Sequence, residues 1–325
     1  TRRSSDLDAN KRVRIKAGIY YLDDRMPEVG LACDHARLAC NSVKGRHDIN
    51  YCVYDEMLRE KLRRQQYVID HIDEAVEKAY IKVFYQPVIR VRTGEVCGAE
   101  ALVRWIDPTV GFLSPADFIE TLEQFHLIHK VDEYVVEQVC RDYRALKDAG
   151  EPVVPVSVNL SRLDFELCDI VDYIERMREK YDVPRSMLDL EITESVLNDN
   201  SDLIKTETTR LREAGYHIWI DDFGSGYSSL NVLTEYEFDV LKLDLVFLRS
   251  YDHNPRAGKL ISYVIQLARG LDVEPLTEGV ETEAHFAFLK DAGCERAQGY
   301  YFSKPQPLDE LKKTIAEKGL AYEAV

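Results

Sequence analysis

From about Tyr80 onward the chain alternates between two hydrophobic periods. Short strand-like apolar runs recur: "IKVFYQPVIRV" (81–91), "EVCGAEALVRW" (95–105), "VVPVSVNL" (153–160), "MLDLEIT" (187–193), "YHIWIDD" (216–222), "FDVLKLD" (238–244), "VEPLTEGV" (273–280) and "RAQGYYF" (296–302). Between most of them lie amphipathic stretches with helical spacing, such as "PADFIETLEQFHLI" (115–128) and "GKLISYVIQLARGL" (258–271). Strand and helix in alternation predict parallel strands covered by helices. About eight such units in roughly 240 residues fit a (β/α)8 barrel, with an open doubly wound sheet as the alternative.

The first part of the chain reads differently. Residues 12–22 alternate apolar and polar and predict a strand. Residues 27–44 place Val29, Ala32, Cys33, Ala36, Ala39, Cys40 and Val43 at helical spacing, and residues 47–55 predict a second strand. A strand, a helix and a strand cannot bury a core of their own, so residues 1–54 are expected to be the rear part of a larger domain. Residues 55–79 carry Leu58, Leu62, Ile69, Ile72 and Val76 on one face among many charges, which predicts an amphipathic connecting helix. The barrel domain is then expected over 80–325.

Composition narrows the classes. The 325 residues carry a net charge of −16, which argues against a broad basic surface for a nucleic-acid polymer. It does not exclude a small phosphate ligand, because metals or a few arginines neutralise phosphate locally. Seven scattered cysteines without a Cys-x-x-Cys pair argue against a disulfide framework or a zinc site. No apolar run reaches the roughly 18 residues of a membrane span, and no leader core follows Thr1, so a cytoplasmic location is expected.

The candidate chemistry lies where the runs end. Glu100 follows "VCGA", Asn159 follows "VSV", Glu191 follows "LDL", Asp221 and Asp222 follow "IWI", Lys242 and Asp244 sit in "VLKLD", Glu278 follows "EPLT", and Gln298 opens "QGYYF". In a barrel these positions are expected at or near strand C-termini, the face where barrel enzymes keep their sites. Convergent carboxylates repel unless cations neutralise them, and hard oxygen ligands favour Mg²⁺ or Mn²⁺ over zinc. Asp221 is placed to bridge two such ions and Asp222 to bind one of them. Two cations roughly 3.5–4 Å apart activate a bridging water for phosphoester hydrolysis. Lys242 would add positive charge near that water, and Arg104 is placed to hold a phosphate oxygen.

The motifs "EALVRW", "VSVNLS", "EITES", "DDFGSGYSSL", "LKLD", "TEGVET" and "QGYYFSKP", in this order over about 80–315, resemble an EAL domain, the cyclic di-GMP phosphodiesterase family. The resemblance implies a modified (β/α)8 barrel with one antiparallel strand, two Mg²⁺ or Mn²⁺ ions, and cleavage of cyclic di-GMP to linear pGpG. It implies one metal held by Glu100, Asn159, Glu191 and Asp221, and a second by Asp221, Asp222 and Glu278. Lys242 would contact the catalytic water, and Glu194 would anchor the loop that begins at Asp222. Gln86, Leu102, Arg104 and Gln298 would face the substrate. A homodimer is also implied. Residues 1–54 resemble the C-terminal half of a GGDEF domain through Gly18, Asp34, Ala36, Lys44, Gly45 and "YCVYD" at 51–55, without the signature turn of that family. An upstream sensory or GGDEF part is therefore expected.

Each residue has a plainer rival. Asn159 could cap a turn, Glu191 and Glu194 could form a helix cap, and Lys242 could be a snorkelling strand lysine. Tyr300, Tyr301 and Phe302 are read as rim packing, and Glu281 as a supporting group. Two other functional classes stay open: a receptor that binds cyclic di-GMP without cutting it, and a regulatory dimer organised by helix 55–79.

Overall fold

The computed structural model describes residues 15–22, 28–44, 49–198, 202–224 and 231–324. Residues 12–14 of the expected first strand, Gly45, residues 47–48 of the expected second strand, and residues 225–230 lie outside the described residues. Two compact units are present, Thr1–Asp70 and His71–Val325.

The first unit contains β1 (Ala17–Ile19), α1 (Val29–Asn41) and β2 (Tyr51–Val53). The strands pair in parallel with Gly18 opposite Cys52, as expected for a pair joined through a helix. Gly18 allows α1 to touch the strand: an added Cβ there would lie 1.8 Å from the Ala36 carbonyl oxygen. α2 (Glu56–Glu77) runs through the boundary between the units, with Val68, Ile72 and Ala75 buried.

The second unit continues with β3 (Ile81–Arg90), β4 (Val96–Asp107), β5 (Gly111–Leu113), α3 (Pro115–Gln124), α4 (His129–Asp148) and β6 (Val156–Leu160). Next come α5 (Arg162–Leu167), α6 (Ile170–Tyr181), β7 (Leu188–Thr193), α7 (Glu194–Asn198), α8 (Asp202–Ala214) and β8 (Ile218–Phe223). The chain ends with α9 (Val232–Glu235), β9 (Val240–Leu243), α10 (Val246–Tyr251), α11 (Pro255–Gly270), β10 (Glu274–Thr277), α12 (Glu283–Ala292), β11 (Arg296–Gln298) and α13 (Leu308–Glu317).

Each of the eight predicted runs contains one strand of a single closed barrel, in the order β3-β11-β10-β9-β8-β7-β6-β4, with β3 pairing back to β4. The open-sheet alternative is thereby excluded. β3 is antiparallel to both its neighbours, β4 and β11, and the other barrel pairs are parallel. The reason is local: only the short turn 91–95 separates β3 from β4, too few residues for a helical crossover. Alternation of strand and helix therefore fails at this one connection. β5 was not anticipated; it pairs antiparallel with the outer end of β4 through Trp105 and Leu113. Among the described residues no helix is long and apolar enough to cross a membrane.

Candidate active site

Strand alternation sorts the barrel lumen into two layers. On β8, Trp219 and Asp221 are two apart and point the same way; so do Val240 and Lys242 on β9, and Leu276 leads to Glu278 past β10. Trp219, Val240, Leu276, Val88 and Cys97 form a buried apolar floor. The residues two further on, Asp221, Lys242 and Glu278, stand above it. On β3 the order inverts, and Gln86 precedes Val88, because that strand runs the other way. Gln86 and Glu100 are cross-strand partners. Both are mid-strand rather than at strand ends, because the β3–β4 ladder continues past the barrel rim to Ile81 and Trp105.

The centre of the polar layer is Lys242, which has no exposed surface. Its Nζ lies 2.5 Å from Glu191, 2.9 Å from Glu278, 3.0 Å from Asp221 and 3.5 Å from Glu100. One ammonium thus faces four carboxylates in a space where water screens little. Burial works to discharge Lys242, but Asp221, Glu100, Glu191 and Glu278 outweigh it and hold its pKa well above the ordinary value. Burial also pushes the Glu191 carboxyl well up, helped by Glu100 and opposed by Lys242. Glu278 is pushed up to about 8, by burial first and against the pull of Lys242. A single positive charge cannot neutralise the set, so it either keeps protons or takes up cations.

The donor set fits a cation. Glu100, Glu191 and Asp221 each present an oxygen, all within 4.8 Å of one another. Glu191 Oε1 is buried and has no hydrogen-bond partner among the described residues. The ligands are all oxygen, which matches Mg²⁺ or Mn²⁺ rather than zinc.

The flanking amides hold this set in place. Asn159 Nδ2 donates to Glu100 Oε1 at 3.3 Å, and Asn159 is in register with Glu191 on β7. Gln298 Nε2 donates to Glu100 Oε2 at 2.6 Å and to Gln86 Oε1 at 3.0 Å, while Gln86 Nε2 donates to the Ser303 carbonyl at 3.0 Å. Glu194 Oε2 accepts from the Gly224 amide at 3.2 Å, and its Oε1 from Asn198 at 3.4 Å. It therefore holds the end of β8 at Gly224.

Asp222 does not join the carboxylates around Lys242. Its backbone is left-handed (φ +55°) and its side chain is exposed. Burial of part of the group, with Asp221 and then Asp244 beside it, pushes its pKa to about 6. Asp244 caps the start of α10 by accepting from the Val246 amide at 2.7 Å.

A cavity of about 310 Å³ opens over this layer. Leu102 and Arg104 line it from β4, with Leu245, Arg249, Glu281 and Tyr300 on the other walls. Arg104 donates to the Val103 carbonyl at 2.7 Å and lies 5.7 Å from the Phe84 ring centre. Tyr300 is 57 % exposed and lines the cavity, whereas Tyr301 and Phe302 pack against each other and against Phe286, as the packing reading expects. Glu281 also reaches the cavity itself. Arg249 and Leu245 were missed by sequence reasoning; Leu245 follows "VLKLD" directly, but Arg249 lies in a short helix with no motif around it.

The EAL domain family model matches residues 69–305. The chain belongs to the EAL domain family. The chain is 34 % identical over 293 residues to a Pseudomonas aeruginosa protein named cyclic di-GMP phosphodiesterase NbdA, covering 90 % of this chain and 36 % of that protein. It is 32 % identical over 266 residues to the bifunctional diguanylate cyclase/cyclic di-GMP phosphodiesterase MucR of the same organism, covering 82 % and 39 %. The chain thus spans well under half the length of these curated relatives. A solved structure titled "PaMucR Phosphodiesterase, c-di-GMP complex" superimposes with a TM-score of 0.71 at 33 % identity, over 75 % of this chain and 99 % of that one. Several of the motifs that carried the resemblance, "EALVRW", "EITES", "LKLD" and "TEGVET", supply polar-layer or cavity residues of this EAL barrel.

Proposed function

We propose that this EAL domain is a metal-dependent phosphodiesterase that hydrolyses cyclic di-GMP to linear pGpG. The observation that carries the proposal is one fully buried lysine among four carboxylates, one with an unpartnered oxygen, at the base of a 310 Å³ cavity. The names of NbdA and MucR and the ligand in the MucR structure support the substrate.

In this reading Glu100, Asn159, Glu191 and Asp221 would hold one Mg²⁺ or Mn²⁺, and Asp221, Asp222 and Glu278 would hold a second. Such ions supply a water of lowered pKa and draw charge from the phosphate. Lys242 would hydrogen-bond the attacking water and offset charge that builds on the phosphate oxygens. Arg104 grips a phosphate oxygen, while Gln86, Leu102 and Gln298 shape the wall against the ligand. Glu194 steadies the strand end beside Asp222. Water adds oxygen to phosphorus, one P–O ester bond breaks, and the departing alcohol takes a proton.

Residues 1–54 are proposed to be the C-terminal part of a GGDEF-like domain, with helix 55–79 as connector; the parallel β1–α1–β2 unit supports this. The cytoplasmic setting expected from the scattered cysteine spacing is part of this proposal. The homodimer implied by the resemblance is retained as a proposal, and light scattering of the purified protein tests it.

The deciding experiment is incubation with cyclic di-GMP in Mn²⁺ or Mg²⁺ and separately in EDTA, with products resolved by chromatography. Metal-dependent pGpG is expected. Calorimetric binding without any product would transfer the protein to the receptor class.

A further inference from the structure

Two arginines line the cavity. Arg104 stands on β4, and Arg249 on α10, the helix that follows β9. Around the closed ring, β4 and β9 are four strand positions apart by either route, so they face each other across the lumen. Arg104 is on the same face of β4 as Glu100 and close to the carboxylate layer. Arg249 is exposed and makes no ion pair or side-chain hydrogen bond among the described residues.

Arg249 is nevertheless held at a defined place. At the start of α10, Leu245 lies against Gly279, where an added Cβ would come 2.7 Å from Leu245 Cβ. Gly279 directly follows Glu278. Just past the end of α10, Asp252 Oδ1 is 2.9 Å from His285 Nε2, and His285 Nδ1 accepts from the Glu281 amide at 3.4 Å. Both ends of the short helix are thus tied to the segment that carries Glu278 and Glu281. A guanidinium displayed this way, without a partner among the described residues, suits a phosphate oxygen.

We propose that Arg249 binds the second phosphodiester of the cyclic dinucleotide, the one that is not cut. This rests on the phosphodiesterase reading above. A cyclic dinucleotide carries two phosphodiesters on opposite sides of one macrocycle. When one lies over the carboxylates beside Arg104, the other is directed to the far wall, where Arg249 stands. A contact with a non-reacting group is made equally in the ground and transition states, so its loss raises KM and spares kcat.

The test compares two substrates in Mn²⁺: cyclic di-GMP, and bis(p-nitrophenyl) phosphate, which has a single phosphodiester. Arg249→Gln is expected to raise KM for cyclic di-GMP about tenfold with kcat within about twofold, the loss of one charge-assisted contact. Arg249→Lys should recover part of that loss. Hydrolysis of bis(p-nitrophenyl) phosphate should be the same in wild type and Arg249→Gln. An unchanged KM for cyclic di-GMP overturns the inference, and so does an equal fall with both substrates, which would mark a general distortion of the site. If the wild type cuts neither substrate, the phosphodiesterase reading falls and this inference falls with it.

Discussion

Lys242 and Glu191 are both fully buried, with Nζ and Oε2 2.5 Å apart, yet the other oxygen of Glu191 has no partner among the described residues. Lys242 is shared among four acids, so it satisfies none of them fully. That imbalance makes the barrel centre a place for further cations, and it determines how the protein should respond when the balance is altered.

Cation binding should be visible as stability. Mg²⁺ or Mn²⁺ that binds only the folded chain raises Tm, by about 2.7 kcal/mol of stabilisation at a hundred times Kd. Glu191→Gln should fold in EDTA and lose most of this shift, because the unpartnered oxygen is gone. Thermal melts with and without EDTA measure it, and a wild-type Tm indifferent to both ions would count against the metal reading.

Lys242→Met should be costly in two ways. Without metal it leaves the four carboxylates with no counter-charge, and breaking a buried pair in this way costs about 3–5 kcal/mol. Part of that stability should return on adding Mn²⁺. Turnover should still be down by about a hundredfold or more, since the hydrogen-bond donor at the reacting centre is missing. Denaturant melts at several Mn²⁺ concentrations, paired with product assays, separate the two effects.

Gly279→Ala tests the coupling of α10 to Glu278. Gly279 has φ +74°, and its new Cβ would meet Leu245 at 2.7 Å. Strain of this kind costs about 1–3 kcal/mol. Cyclic di-GMP hydrolysis should fall more than stability does, because the neighbouring residue is Glu278. A variant with a lowered Tm but full activity would show that this turn does not position the site.

The acid sensitivity of the outer barrel should involve Glu175. Hydrogen bonds from Arg185 above all, with Tyr216 and Arg178 adding to them against the effect of burial, hold its carboxyl down to about 2. A depressed carboxylate contributes stability above its unfolded value, near 4.5, and loses it as pH falls through about 2. The side chain is partly exposed, so the contribution is discounted to about 1 kcal/mol. Glu175→Gln should be less stable than wild type by that amount at pH 7, with the gap closing between about pH 4.5 and pH 2. A gap that stays constant over that range would assign the loss to packing instead.

Much of this protein was legible in its sequence. The period-2 runs located all eight barrel strands, because inward and outward residues of a covered strand leave a local mark. The polar residues near the ends of "IWI", "VLKL" and "EPLT" pointed to one site, and alternation above Trp219, Val240 and Leu276 explains why they meet. The reversed strand was not legible from periodicity, since a strand reads alike in both directions; the turn at 91–95 and the closing pair β3–β4 decided it. The sharing of Lys242 among Glu100, Glu191, Asp221 and Glu278 was likewise a tertiary result. These residues come from β4, β7, β8, β9 and the end of β10, and only closure of the ring brings them within hydrogen-bonding reach. The lining of one cavity by both Arg104 and Arg249 follows from the same closure. Sequence records which side chains face inward, because that is set by neighbours along the chain. Which of them touch is set by strand order and ring geometry, which no local pattern encodes.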